Sequence, residues 1–180
     1  MSTEIRFGIV GAGMVARSHA QAIAETPGAR LTATCRADST RTGEAAAELG
    51  VPCEASLEAL LARSDVDAVC LCTPSGLHAE QALAAARAGK HVLVEKPIAL
   101  RLADADAMIA ACQEAGVRLG VVFQRRTDPA VRKLHDAIRA GELGRLVLGT
   151  ASVPYLRPQS YYDSARPGAA PGPSTAAARS

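Results

Sequence analysis

The sequence contains no tryptophan, and aromatic residues make up only 3% of it. No basic run interleaves with aromatics, and the formal net charge is only +2. A nucleic-acid surface needs a concentrated positive field, so that class of partner is not expected. No stretch of 18 apolar residues occurs. The first apolar segment, Ile5 to Val10, lacks the layout of a signal peptide. The expectation is a soluble cytoplasmic protein with no membrane partner. CxxC spacing is also missing among the five cysteines, Cys35, Cys53, Cys70, Cys72 and Cys112. Cys70 and Cys72 lie two apart in an expected strand and share one face. Further ligands at metal-site spacing are lacking, so they read as small buried apolar residues and no metal is expected.

What is present is a chain of 180 residues, 48% hydrophobic and rich in alanine. That length holds one domain with a real core and part of a second. Apolar, β-branched runs fit strands at 5–10, 30–35, 68–72, 91–94 and 117–122, with a weaker one near 51–53. Helical patterns fit 14–25, 39–49, 56–62, 77–88, 100–115 and 128–140. Strand followed by helix, repeated, predicts an α/β fold with a doubly wound parallel sheet. Gly50, Gly89 and Gly116 stand where helix C-caps belong, and Ser56 and Asp128-Pro129 where helices start. Past residue 125 the pattern changes. A helix leads through Gly141 to Gly144 into an expected strand, Leu146 to Val153, as if a second, incomplete α/β domain opened at 126 and ran to 165.

Two motifs carry the chemistry. Phe7-Gly-Ile-Val-Gly-Ala-Gly-Met-Val-Ala16 places glycines between the first strand and first helix. Gly11 permits a tight turn, Gly13 lets backbone approach a pyrophosphate, and Ala16 allows helix and strand to pack closely. The start of that helix offers free N–H groups and a partial positive charge, worth roughly 0.3–1 kcal/mol to an exposed anion. A dinucleotide is the expected ligand. The acid that would grip the ribose hydroxyls belongs about 20 residues further on. Arg36 stands there instead, followed by Asp38, Ser39 and Arg41. An arginine can pair with a 2′-phosphate, and Ser39 and Arg41 can add donors, so NADP is expected over NAD. Asp38 argues the other way, since a small shift would bring it to the ribose.

The second motif comes in two parts. Cys72-Thr-Pro-Ser-Gly-Leu-His78 follows the fourth strand. It sets Thr73 and Pro74 at the carboxyl edge of the sheet, where ligands of such folds collect, with His78 in the next helix's first turn. Val92-Leu-Val-Glu-Lys-Pro97 then ends a core strand in an acid, a base and a proline. Lys96 would lie where a nicotinamide ring reaches. It can donate a hydrogen bond to a substrate oxygen and manage the proton that accompanies hydride transfer. Glu95 would position that ammonium or contact the ribose, and Pro97 marks a candidate cis bend. His91 and His135 read as solvent-facing.

From about residue 4 to 165, and most specifically over Thr73 to Pro97, the chain resembles the Gfo/Idh/MocA oxidoreductases, the superfamily of glucose–fructose oxidoreductase and inositol dehydrogenase. The resemblance implies a Rossmann domain over residues 1–125, then an α/β substrate domain. It implies NAD(P)-dependent oxidation or reduction of a sugar, polyol or sugar derivative, a small-molecule partner, and homo-oligomeric full-length relatives. On that analogy Gly11, Gly13, Met14, Val15 and Ala16 cradle the pyrophosphate. Thr73, Pro74 and His78 line the nicotinamide half, and Lys96 is the active-site lysine with Glu95 beside it. Residues 166–180 depart from the pattern. A codon choice exists under which those 15 residues, shifted by two bases, read Ala-Trp-Arg-Gly-Thr-Trp-Ala-Leu-Asp-Gly-Gly-Gly-Ala-Leu-Met, which resembles how such oxidoreductases continue. The tail is therefore expected to be an out-of-frame, disordered product. The Asp and His that the family carries beyond that glycine run would then be missing, leaving turnover in doubt and a noncatalytic dinucleotide-binding module or redox sensor as the alternative.

Overall fold

A computed structural model of the chain describes residues 4–154 and 156. In chain order the elements are β1 (Ile5–Val10), α1 (Met14–Glu25), β2 (Ala29–Cys35), α2 (Thr42–Leu49), β3 (Cys53–Glu54), α3 (Leu57–Leu61), β4 (Ala68–Leu71), α4 (His78–Arg87), β5 (His91–Val94), α5 (Leu102–Glu114), β6 (Leu119–Val121) and α6 (Pro129–Arg139). The six strands form one parallel sheet in the order β3-β2-β1-β4-β5-β6. The chain winds outward from β1 to β3, then crosses back to build the other half from β4. Ligands of such sheets bind in the crevice beyond the strand carboxyl ends, at that reversal.

The strands read as apolar runs because helices cover both faces of the sheet. All four residues of β4 are buried. One core gathers Leu60 and Leu61 of α3, Ala82, Ala85 and Ala86 of α4, and Met108 and Cys112 of α5 against Val69, Leu71, Val92 and Val94. A second sets Ala16 and Ile23 of α1 against Ile9 and Cys70. Small alanines let the helices approach the sheet closely, which is how a chain without tryptophan fills its core. The buried hydroxyls are satisfied: Thr34 Oγ1 donates to the Ile9 carbonyl at 2.9 Å and Thr32 Oγ1 to the Asp65 carbonyl at 2.9 Å. This matches the expected doubly wound class.

The opening of β1 is tied to the loop before β4 by a two-point ion pair. Arg6 Nε and Nη2 donate to Asp67 Oδ2 and Oδ1 at 2.9 and 2.7 Å, and the Arg6 amide adds a third bond at 2.9 Å. The guanidinium hydrogen bonds pull the Asp67 carboxyl down to about 2. A carboxyl lowered on folding stabilises the fold above its unfolded pKa, and the benefit is lost as pH falls through the folded value. Both side chains are about a third exposed, 33% and 35%, so solvent screening discounts the pair. Asp67→Asn is expected to cost about 1 kcal/mol at neutral pH, with the difference closing as the pH approaches about 2. Denaturant unfolding of both proteins across that range checks it.

Three local features depart from expectation. The helix expected over 39–49 is a 3₁₀ turn, Ser39–Arg41, followed by α2. The cause is Asp38, whose carboxylate accepts from the Thr40 amide at 3.1 Å and hydroxyl at 2.6 Å and caps the turn. The strand expected over 146–153 does not form, because an isolated segment gains no ladder hydrogen bonds and no described sheet edge pairs with it. His91 is not simply solvent-facing: its Nδ1 accepts from the Arg118 amide at 3.0 Å. The chain divides into two units at Val122/Phe123. In the second unit, Asp128 caps α6 by accepting from the Ala130 amide at 2.9 Å. No residue of α6 is buried. The tail at 166–180 lies outside the described residues, and no described helix is long and apolar enough to cross a membrane.

Candidate cofactor and active site

The carboxyl ends of the central strands are level. Val10 pairs with Leu71, and Leu71 with Val94. The residues that follow, Gly11, Cys72 and Glu95, therefore emerge along one edge. Gly11 turns the chain with φ +94°, and its amide donates to the Cys35 carbonyl at 2.8 Å. A Cβ on Gly11 would lie 3.0 Å from the Cys72 carbonyl oxygen and 3.1 Å from Thr73 Cγ2. The glycine turn is thus pressed against the loop after β4. Gly13 is different: a Cβ there would meet nothing within 4 Å. It opens onto free space at the N-cap of α1, where no side chain caps the helix and no acid occupies the first turn. Unclaimed N–H groups facing open space suit an anion. Ala16 is fully buried against the sheet, whereas Met14 and Val15 are exposed. The turn fits the pyrophosphate of a dinucleotide.

At the end of β2, Arg36 Nη1 donates to the Arg41 carbonyl at 3.3 Å. Its Nε is buried and has no hydrogen-bond partner. A buried, unsatisfied cationic donor is costly and wants an acceptor. Asp38 is committed to its turn, and Thr40 hydrogen bonds hold its carboxyl below the usual range. Arg41 is occupied as well, with Nε donating to Glu44 at 2.7 Å. Of the expected phosphate donors, Arg36 is the one with a buried N–H that has no partner. The Ser39 carbonyl accepts from Thr42 Oγ1 at 3.2 Å.

Beyond β4, the Thr73 hydroxyl donates to Gln81 Oε1 at 2.6 Å, and Pro74 bends the chain into a 3₁₀ turn, Ser75–Leu77. His78 departs from expectation. It is 1% exposed and does not line the crevice. Its Nδ1 lies 2.9 Å from the Pro97 carbonyl oxygen and its Nε2 3.0 Å from the Thr73 carbonyl oxygen. Beyond β5, the Lys96–Pro97 peptide is cis. Lys96 is exposed, and its ammonium has no partner among the described residues. Glu95 does not hold that ammonium. Its Oε1 meets His19 Nε2 at 2.9 Å and its Oε2 accepts from the Lys96 amide at 3.2 Å. His19 was not a candidate in the sequence. The signal was present: Ala16, His19, Ala20 and Ile23 form the inward stripe of α1, and a histidine on such a stripe meets a partner.

The cysteines offer no nucleophile. Burial pushes the thiols of Cys35 and Cys70 up to about 12 and raises those of Cys72, Cys53 and Cys112. A thiol held protonated is inert. Among the described residues no group of three or more His, Cys, Asp or Glu side chains could hold a metal.

A parallel 3-2-1-4-5-6 sheet, a glycine turn opening α1 and a lysine following β5 on the same edge define a nucleotide-cofactor domain of the Rossmann kind. Comparison with known proteins narrows the class. Residues 5–123 match the model of the oxidoreductase family with an NAD-binding Rossmann fold, Gfo/Idh/MocA, and the chain belongs to that family. It is 41% identical over 141 residues to 1,5-anhydro-D-fructose reductase of Ensifer adhaerens, covering 78% of this chain and 42% of that protein. It is 37% identical over 161 residues to inositol 2-dehydrogenase of Rhizobium meliloti, covering 87% and 48%. Among solved structures, the WlbA dehydrogenase of Bordetella pertussis in complex with NADH and UDP-GlcNAcA superposes with a TM-score of 0.85 at 43% identity, covering 90% of this chain and 50% of that one. The chain spans about half the length of the relatives it matches.

Proposed function

We propose that the crevice above β1 and β4 takes a nicotinamide dinucleotide, NADP(H) in preference to NAD(H), and that Lys96 serves hydride transfer to or from a hydroxyl-bearing carbon of a sugar, polyol or sugar derivative. The observation that carries this reading is the placement of Lys96. An exposed ammonium without a protein partner among the described residues stands at the end of β5, on the same sheet edge as, and two strands along from, a glycine turn suited to a pyrophosphate. The nicotinamide supplies the hydride acceptor or donor. Lys96 donates a hydrogen bond to the substrate oxygen, which steadies negative charge as a hydroxyl becomes a carbonyl. Arg36 meets the adenosine 2′-phosphate through its unused Nε. The substrate class rests on relatives named as a sugar reductase and an inositol dehydrogenase, and on a structural neighbour carrying a nucleotide sugar.

The test is hydride transfer by the full chain, read as the absorbance of the reduced nicotinamide, with inositols, aldoses and UDP-linked uronates offered in turn. Turnover with one of these, lowered roughly 10²-fold or more by Lys96→Met, supports the reading. Turnover indifferent to that substitution removes Lys96 from the chemistry. The solitary position of Lys96 favours a second reading, a dinucleotide-binding module without turnover. Saturable cofactor binding with no turnover on any of these substrates is its signature.

A further inference from the structure

We propose that His19 and His78 are positioning residues that brace the Lys96 backbone from two different helices; the proposal rests on Lys96 being the reactive group. The sheet's own hydrogen bonds stop just short of this lysine. The last ladder contact on the β4 side is the Glu95 amide donating to the Leu71 carbonyl at 3.1 Å. Pro97, one residue beyond Lys96, has no N–H to contribute. Two histidines take over where the ladder ends. On one side, His19 Nε2 donates to Glu95 Oε1 at 2.9 Å, with the two side chains only 11% and 14% exposed. The other oxygen of that carboxylate receives the Lys96 amide. On the other side, His78 Nδ1 donates to the Pro97 carbonyl. Lys96 therefore sits between two anchored neighbours while its own side chain stays free to reach a ligand. The anchors belong to separate cores: α1 packs through Ala16 and Ile23, α4 through Ala82, Ala85 and Ala86. His78 Nε2 lies 3.0 Å from the Thr73 carbonyl oxygen, so the ring sits between the Lys96 segment and the loop pressed against the glycine turn, and in its neutral form it donates to only one of the two carbonyls.

The assignment makes an unusual demand on conservative variants. Asparagine reproduces the Nδ1 position of histidine and glutamine the Nε2 position. His78→Asn can keep the donation to the Pro97 carbonyl, whereas His78→Gln loses it and can donate only toward the Thr73 carbonyl. For His19 the order reverses, because the contact to Glu95 is made by Nε2. The measurement is amide hydrogen exchange at Lys96 in the full-length chain, with thermal melts as a control for folding. His78→Asn and His19→Gln are expected to keep exchange near the wild-type rate. His78→Gln and His19→Asn are expected to speed it roughly tenfold, as a local opening would. Equal exchange in all four variants overturns the proposal, and so does a ranking that follows melting temperature instead of this crossed pattern. A separate arm tests the functional reading: NADPH should slow modification of Lys96 by pyridoxal phosphate and borohydride. Failure there refutes the cofactor assignment while leaving the exchange result to judge the brace.

Discussion

Arg36→Ala is expected to weaken NADPH binding roughly 10- to 100-fold while leaving NADH within about twofold, the loss anticipated for one charge-assisted contact. The effect is assigned to this residue because its Nε is buried and has no hydrogen-bond partner. In the free protein that group carries a desolvation cost, and a phosphate oxygen would relieve it. The other cation and the acid nearby are each already engaged in part. Arg41 is paired with Glu44, so Arg41→Ala should have the smaller effect. Asp38 Oδ1 accepts from the Thr40 amide and hydroxyl, which competes with a reach for the ribose hydroxyls of NAD(H). The predicted preference differs from the cofactor in the solved complex of the WlbA dehydrogenase, which holds NADH. Titrating both cofactors into wild type and both variants checks it. An equal loss for NADPH and NADH would mean that Arg36 holds the turn rather than the phosphate.

Gly11→Ala should be the most damaging single methyl in the molecule. With φ at +94° an L side chain is strained from the start. Its Cβ would also sit 3.0 Å from a backbone carbonyl oxygen, which cannot rotate away as a side chain would. A cost of about 1–3 kcal/mol in stability is expected. Any relief must come from moving the turn, hence the start of α1 and its N–H groups. Cofactor affinity should therefore fall by 10²-fold or more. Gly13→Ala is the informative partner. Its φ of −95° is ordinary and its Cβ would meet no protein atom, so the melting temperature should hardly move. Affinity should still drop, because the methyl would occupy space assigned to the pyrophosphate. Melts and titrations on the two variants separate folding from binding. If Gly13→Ala binds as well as wild type, the pyrophosphate does not lie there.

The sheet was legible in the chain because its signals are local. Continuous apolar runs such as Ala68–Leu71 announce strands buried on both faces, and alanine stripes announce helices that lie close to them. The glycine turn and Lys96 were legible for the same reason, since each depends on a few consecutive residues. What the sequence hid is pairwise and distant. His19 and Glu95 are 76 positions apart, and no periodicity links them. The role of His78 depends on two carbonyl groups, which carry no sequence signature at all. Asp38 was ambiguous until its carboxylate was seen capping a turn, a choice that competed with the continuous helix expected there. The strand expected at Leu146 to Val153 had the right composition, but a strand is made by its neighbour, and none is present among the described residues.

The most direct test of the account is equilibrium titration of the full-length chain with NADPH and with NADH, read by nicotinamide fluorescence. The absence of tryptophan removes the usual background and energy-transfer donor. One saturable site is predicted, with NADPH bound more tightly than NADH. No saturable binding of either nucleotide would contradict the central claim that the edge carrying Gly11, Thr73 and Lys96 is a dinucleotide site.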